Sequence, residues 1–362
     1  MDEIKSGSAQ NKKLKVGIIG CGGISNRHML GYKALPDKVS VEAVCDIDEE
    51  RVKAYAEQYG VPRWYTDAKE MMSKEQLDAV SVCTLNFLHC PMTILALEGG
   101  ANVLCEKPMA MNQEEAQLMM DTAKKCGKLL QIGFVRRFGN DADIVKKFVD
   151  AGDMGDVYYA KAIYLRRNGC PGKSFGDKKF SGGGPLIDLG VHVIDLVRYL
   201  GGCPKPISAY AVTYNNLGYN RAEGGQTWVA SSQGTFEYNV EDMVSALVRF
   251  DNGLTMQIEA SFNLNVQKDT CTVQMFGTKA GASVSPIIEF YTDMNGMLVD
   301  IKPSGNNQND ILEMFKREVA HFVDCVRDGT PCRASAEDGV ELMKILDAIY
   351  ESAETGHEVI IK

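Results

Sequence analysis

Apolar and polar positions change their period once along this chain, near residue 135. Before that point, short unbroken apolar runs alternate with stretches whose apolar residues recur every three or four positions. The runs LKVGIIG (14–20), VSVEAVCD (39–46), LDAVSVCTL (77–85), NVLCEK (102–107) and LLQIGF (129–134) read as strands buried on both faces. Between them, residues 22–35, 48–60, 89–100 and 112–127 read as helices, the last three ending in Gly. Strands separated by helices of this length predict a parallel sheet covered on both faces.

Past residue 135 a helix near 139–151 is followed by long alternating runs: DVYYAKAIYLRR (156–167), PISAYAVTY (206–214), DMVSALVRF (242–250), LTMQIEASF (254–262) and TCTVQMFG (270–277). Alternation at period two predicts half-buried strands, and FDNG (250–253) is a hairpin signal between two of them. A largely antiparallel sheet is expected, then helices over 309–328 and 336–355. GGGPLIDLGVHVIDLVRYLGG (182–202) has the three-and-four spacing of an amphipathic helix, yet carries Asp188, His192 and Asp195 on one stripe. By itself it reads as a core helix with polar residues.

Three further features change that reading. Gly20-x-Gly22-x-x-Ser25 follows a buried strand and opens a helix, the context in which a glycine loop and a helix N-terminus hold a pyrophosphate. Gly20 allows the tight turn, Gly22 the close approach of backbone, and Ser25 is small enough for helix–strand packing. The second strand ends in Asp46, which accepts hydrogen bonds from ribose hydroxyls and repels a 2′-phosphate. With Ile47 and Asp48 following, no Arg stands ready for that phosphate, so NAD is expected over NADP. Lys107-Pro108 directly follows the fourth strand, where ligands of open α/β sheets bind.

Taken together, G-x-G-x-x-S with an acidic second strand, E-K-P, and Gly184-x-x-x-Asp188-x-x-x-His192 resemble the glucose–fructose oxidoreductase / inositol dehydrogenase / rhizopine catabolism family. Their order and spacing match that family from Leu14 to the final GHEVIIK, with Ser25 standing where Ala is usual. The resemblance implies an α/β protein in two parts. Residues 1–133 are a Rossmann doubly wound parallel sheet that binds NAD. Residues 134–362 are an α+β domain with a large, mainly antiparallel open sheet for substrate and oligomerisation, the C-terminal helix packing on either part. It implies reversible oxidation of a secondary hydroxyl of a sugar, cyclitol or glycoside, with Lys107, Asp188 and His192 on catalytic positions. Cofactor contacts are expected at Gly20, Gly22, Gly23, Ile24, Asp46, Thr84, Asn86, His89, Glu106 and Lys107. Of these, Thr84, Asn86 and His89 belong to TLNFLHCPM (84–92), similar to the family's segment beside the nicotinamide.

The residue types suit this chemistry. His192, with an ordinary pKa near ~6.5, serves as general acid/base. Lys107 stabilises a developing alkoxide. Asp188 accepts a substrate hydroxyl and favours the His192 cation. Tyr164 and Arg166, in YLRRNGCPG, are candidate substrate contacts. Arg137 in GFVRRFG (133–139) reads as structural, His28 as a packed residue, and His321 as a residue without an evident partner. A redox-neutral use of NAD, through a transient keto-sugar in a glycosidase or epimerase, and a non-catalytic dinucleotide-binding regulator are the competing functions.

Composition narrows the partners. The net charge of −9 argues against nucleic acid and anionic membrane, which need a basic face. Eleven cysteines, none in a C-x-x-C pair, predict neither a disulfide scaffold nor a zinc site, so no metal is expected. A polar N-terminus and no apolar run near the roughly 18 residues of a membrane span predict a cytoplasmic protein. Its expected partners are a small carbohydrate or cyclitol and copies of itself, as homodimer or homotetramer.

Overall fold

A computed structural model describes residues 13–218, 235–305 and 309–362. The first sheet has six parallel strands: β1 (Leu14–Ile19), β2 (Val39–Cys45), β3 (Arg63–Tyr65), β4 (Ala79–Val82), β5 (Asn102–Glu106) and β6 (Leu130–Gly133). They lie in the order β3-β2-β1-β4-β5-β6. The order reverses between β1 and β4, the place where such sheets open a crevice for a ligand. Helices α1 (Ser25–Lys33), α2 (Glu49–Tyr59), α3 (Ala68–Lys74), α4 (His89–Glu98) and α5 (Gln113–Cys126) connect the strands. Capping explains their sharp ends. Asp48, Asp67 and Asn112 accept first-turn amides of α2, α3 and α5, and Gly60 and Gly127 close α2 and α5 in left-handed backbone.

The chain then forms α6 (Asn140–Asp150), β7 (Val157–Leu165), the short α7 (Lys178–Ser181) and α8 (Val191–Leu200). Next come β8 (Pro206–Tyr214), β9 (Met243–Phe250), β10 (Thr255–Ser261), β11 (Thr270–Gly277), β12 (Ala280–Ser285), β13 (Glu289–Met294) and β14 (Met297–Ile301). It ends in α9 (Ile311–Asp328), α10 (Ala336–Thr355) and β15 (Val359–Ile360). The nine strands of this second sheet are ordered β14-β13-β12-β11-β7-β10-β9-β8-β15. Every pairing is antiparallel but one, β7 with β10. The FDNG turn joins β9 to β10 as a hairpin. Helices α6, α8 and α10 cover one face. The other carries exposed Tyr210, Val212, Tyr214 and Leu247, with Tyr210 paired opposite Leu247.

Two expectations change. The 182–202 stretch is not one regular helix: Leu186–Gly190 forms a π turn before α8 begins, with Val191 N–H bonded back five residues to Leu186 O. Contrary to the composition argument, Lys178–Leu200 is long and apolar enough to pass for a membrane span, but 83% of its apolar window is buried inside the protein. All eleven cysteines are free.

The last helices return to the first sheet. Val319, Phe322 and Val323 of α9 complete a core with Val16, Ile18, Met29 and Tyr32, and α10 packs on α5 and β8.

Candidate active site

The glycine loop leaves β1 beside β4. Gly20 has φ +94°, and a Cβ there would stand 2.4 Å from the Cys83 carbonyl oxygen, so no other residue fits. The Ser25 hydroxyl donates to Gly22 O (2.7 Å), and the Asn26 amide donates to Gly22 O and Gly23 O (3.3 Å each). The loop carbonyls are thus tied to their own helix. In front of Gly23 nothing lies within 4 Å of where a Cβ would be. Helix α1 starts after Ile24 without a side-chain cap and without an acid in its first turn. An open cradle of uncapped amides suits a pyrophosphate. Asp46, at the end of β2, fits the ribose beside it: its Oδ2 accepts Cys21 N–H (2.8 Å), which fixes the carboxylate against the loop.

Its Oδ1 accepts Asp48 N–H (3.0 Å) and Arg51 Nη1 (3.2 Å), while Arg51 Nη2 pairs with Asp48 (3.1 Å). An Arg therefore does stand beside the ribose position, delivered by the first turn of α2 rather than by the two residues after Asp46. The sign in the sequence was an Arg three residues after an Asp that caps a helix.

At the carboxyl ends of β4 and β5 the expected residues separate into two groups. Thr84 and Asn86 border the crevice, and Asn86 Nδ2 donates across it to Ser181 O (2.9 Å). His89 opens α4 but lies buried behind the turn, its ring nitrogens facing Pro108 O (2.6 Å) and Thr84 O (3.2 Å). Glu106 also turns inward. Its Oε1 meets His28 Nε2 (2.8 Å) and its Oε2 accepts Lys107 N–H (3.1 Å). His28 Nδ1 faces Ser81 Oγ (3.1 Å). Glu318 of α9 lies within 4.8 Å of this pair, with neither carboxylate oxygen bonded. Burial, and then the charge of Glu106, push its carboxyl well above the usual range. A second cluster gives His321 its partner: Arg333 N–H donates to its Nε2 (2.9 Å), with Cys325 and Cys332 alongside.

Lys107, Asp188 and His192 come together where the crevice meets the second sheet. The Lys107–Pro108 bond is cis. Lys107 Nζ donates to Asp188 Oδ1 and to Asp188 O, both at 3.0 Å. Their side chains are 17% and 10% exposed, so the pair is shielded but reachable. Partly buried His192 has no hydrogen-bond partner among the described residues. Burial, and then the charges of Lys107, Arg136 and Arg166, hold its imidazole well below the ordinary histidine range. The ring is therefore neutral. The expected support of a His192 cation by Asp188 does not occur, because the Asp188 carboxylate is taken by Lys107.

Arg166 follows β7 with its guanidinium 5.4 Å from the Tyr164 ring centroid and Nη1 donating to Gly169 O (2.8 Å). Arg136 was not anticipated. It pairs with Asp141 (2.7 Å) and leaves a buried Nε unbonded. The Arg136–Arg137 dyad divides: Arg136 bears on His192, whereas Arg137 points into the core. There Arg137 clasps Asp195 (2.6–3.2 Å) and reaches Asp338 (2.7 Å). Asp195, 1% exposed, is a packing residue and not part of the site.

Comparison with known proteins gives the family and the fold. Residues 14–134 match the model of an oxidoreductase family with an NAD-binding Rossmann fold, and residues 143–283 the GFO/IDH/MocA C-terminal domain. The chain is 36% identical over 352 residues to the D-glucoside 3-dehydrogenase of Escherichia coli (strain K12), covering 96% of this chain and 97% of that protein. It is 26% identical to the scyllo-inositol 2-dehydrogenase (NAD(+)) of Bacillus subtilis (strain 168), over 88% and 87% of the two chains. A levoglucosan dehydrogenase solved with NADH and levoglucosan shares the fold, with a TM-score of 0.84 at 23% identity over 97% of this chain and 100% of that one. The chain belongs to the GFO/IDH/MocA family of oxidoreductases, whose N-terminal domain is an NAD-binding Rossmann fold.

Proposed function

We propose that this protein is an NAD-dependent dehydrogenase of a secondary hydroxyl on a sugar, cyclitol or glycoside, with His192 as general base. The observation that carries the reading is a neutral, unpartnered imidazole next to a Lys–Asp pair at the mouth of a dinucleotide crevice. The bound dinucleotide supplies the hydride acceptor. His192 accepts the hydroxyl proton as the carbon gives up its hydride, and returns it when the reaction runs backward. Lys107 donates to the oxygen on which negative charge develops. Asp188 holds the Lys107 ammonium in place and offers its remaining lone pairs to a neighbouring substrate hydroxyl. Tyr164 and Arg166 line the sugar on the far side. His89 and Glu106 act from behind, holding the Lys107 turn.

Asp46 supports NAD as the working cofactor. The 36% identical relative is named for the 3-hydroxyl of a D-glucoside, which makes a glycoside the first substrate to try. The exposed apolar face of the second sheet favours a homodimer or homotetramer. The division at residue 133 and a cytoplasmic location belong to the same reading.

The test is NADH formation across monosaccharides, inositols, sugar acids and glycosides. His192→Ala and Lys107→Ala should each lower turnover at least ~100-fold, with NADH binding retained. Near-normal turnover in both variants refutes the assignment. Product without net NADH would instead point to the redox-neutral route.

A further inference from the structure

The groups that hold the π turn come from far along the chain. Glu241, two residues before β9, is 9% exposed. Its Oε2 accepts Gly184 N–H (3.0 Å) and its Oε1 accepts Leu186 N–H (3.2 Å). The Tyr350 hydroxyl of α10 donates to the same Oε1 (2.9 Å). The turn has no side-chain cap from its neighbouring residues. Its first amides cannot bond within the helix, and a carboxylate at this end also meets the positive pole of the helix dipole.

The glycines before Pro185 are the other half of this arrangement. A Cβ on Gly183 would stand 2.0 Å from the Tyr350 hydroxyl, and one on Gly184 2.5 Å from the Glu241 carbonyl oxygen. From Gly184 the linkage continues inward. Asp188 N–H donates to Gly184 O (3.1 Å), and Asp188 in turn receives Lys107 Nζ through both carbonyl and carboxylate.

We propose that Glu241 and Tyr350 are positioning residues for the reaction: they clamp the first turn of the catalytic stretch and thereby fix Lys107 against His192. This rests on the dehydrogenase reading above. Neither residue needs to touch substrate, and α10, which carries Tyr350, is anchored on α5 and β8. The charged groups that bear on His192 are Lys107 after β5, Arg136 after β6 and Arg166 after β7. Only the Lys107–Asp188 pair depends on the clamp.

The experiment is steady-state NADH formation by the full chain with its best panel substrate, for Glu241→Gln and Tyr350→Phe. Glu241→Gln replaces an acceptor of two amides by a group that repels one of them. It should lower kcat by about tenfold or more, since an ångström of misplacement costs on the order of 100-fold, with KM for NAD within about twofold of wild type. The acid limb of its pH profile should move part of the way up toward the ordinary histidine value, because burial still depresses the imidazole but a loosened Lys107 adds less to that depression. A role in stability alone would leave that limb where it is. Tyr350→Phe should shift the same readouts in the same direction by a smaller amount.

A folded Glu241→Gln with wild-type kcat and an unmoved limb overturns the proposal. If that variant does not fold, Tyr350→Phe decides, and wild-type kcat with an unmoved limb overturns the proposal there. Failure of the wild type to form NADH on any substrate strikes the dehydrogenase reading instead.

Discussion

Changing Asp46 to Ser should reverse the cofactor preference, with Arg51 supplying part of the gain. In the wild type Asp46 and Asp48 share the Arg51 guanidinium, with contacts of 3.2 and 3.1 Å. The Asp46 side chain is only 8% exposed, so its charge faces the ribose pocket rather than solvent. A hydroxyl bonded to a carboxylate is worth about 1.5–3 kcal/mol. Losing it weakens NAD roughly 10- to 150-fold. For a 2′-phosphate the sign is opposite. Two unit charges about 5 Å apart interact by about 3 kcal/mol at an effective dielectric near 20. Salt and partial exposure reduce this to about 1 kcal/mol. Arg51, released from Asp46 but still paired with Asp48 and 29% exposed, adds a further ~1 kcal/mol as a phosphate partner. The NADP/NAD preference should therefore rise by about 3.5–5 kcal/mol, roughly 400- to 5,000-fold. NADH and NADPH fluorescence titrations measure it without a known substrate, and initial rates with both cofactors follow. A change under about threefold, or a full gain that survives in Asp46→Ser/Arg51→Ala, refutes the reasoning.

Three further outcomes are expected. Because burial and three cations depress the His192 pKa, protonation blocks proton acceptance only below its shifted value. The acid limb of kcat/KM for oxidation should thus lie below about 6.5 and move upward in Arg166→Gln; a wild-type limb above 7 contradicts this. Asp195→Ala leaves Arg137 inside the core with Asp338 as its remaining acid. It should cost about 3 kcal/mol, or roughly 5–10 °C in Tm, by scanning fluorimetry, while kcat at 20 °C stays close to wild type. Gly20→Ala forces positive φ on a residue with a Cβ against the Cys83 carbonyl, so NADH binding should be lost well before the fold melts.

The first sheet was readable because strands buried on both faces leave unbroken apolar runs, and the glycine loop and Asp46 fall at strand ends where position implies role. β3, with two of its three residues exposed, leaves no such run. β12 to β14 were missed as well: Ala280–Ser285 is small and polar, and Met297–Ile301 is mostly exposed, so neither shows period two. The reading of Asp188 and His192 rests on their spacing joined to the other motifs, and that spacing assumes an α-helix and conceals the π turn at Leu186–Gly190. Residues that the fold brings to this region from other elements, Arg136, Glu241 and Tyr350, leave no local signature. Only the fold brings Glu241 to Gly184, across 57 positions.

The contribution of α9 to the first core also bears on how the protein is made. Val319, Phe322 and Val323 seal the apolar side of α1 and β1, and they are made long after both. The first sheet therefore waits, while the second is being made, with part of its hydrophobic surface uncovered. A truncation at residue 133 would make that wait permanent, yielding a sticky fragment rather than a miniature cofactor binder.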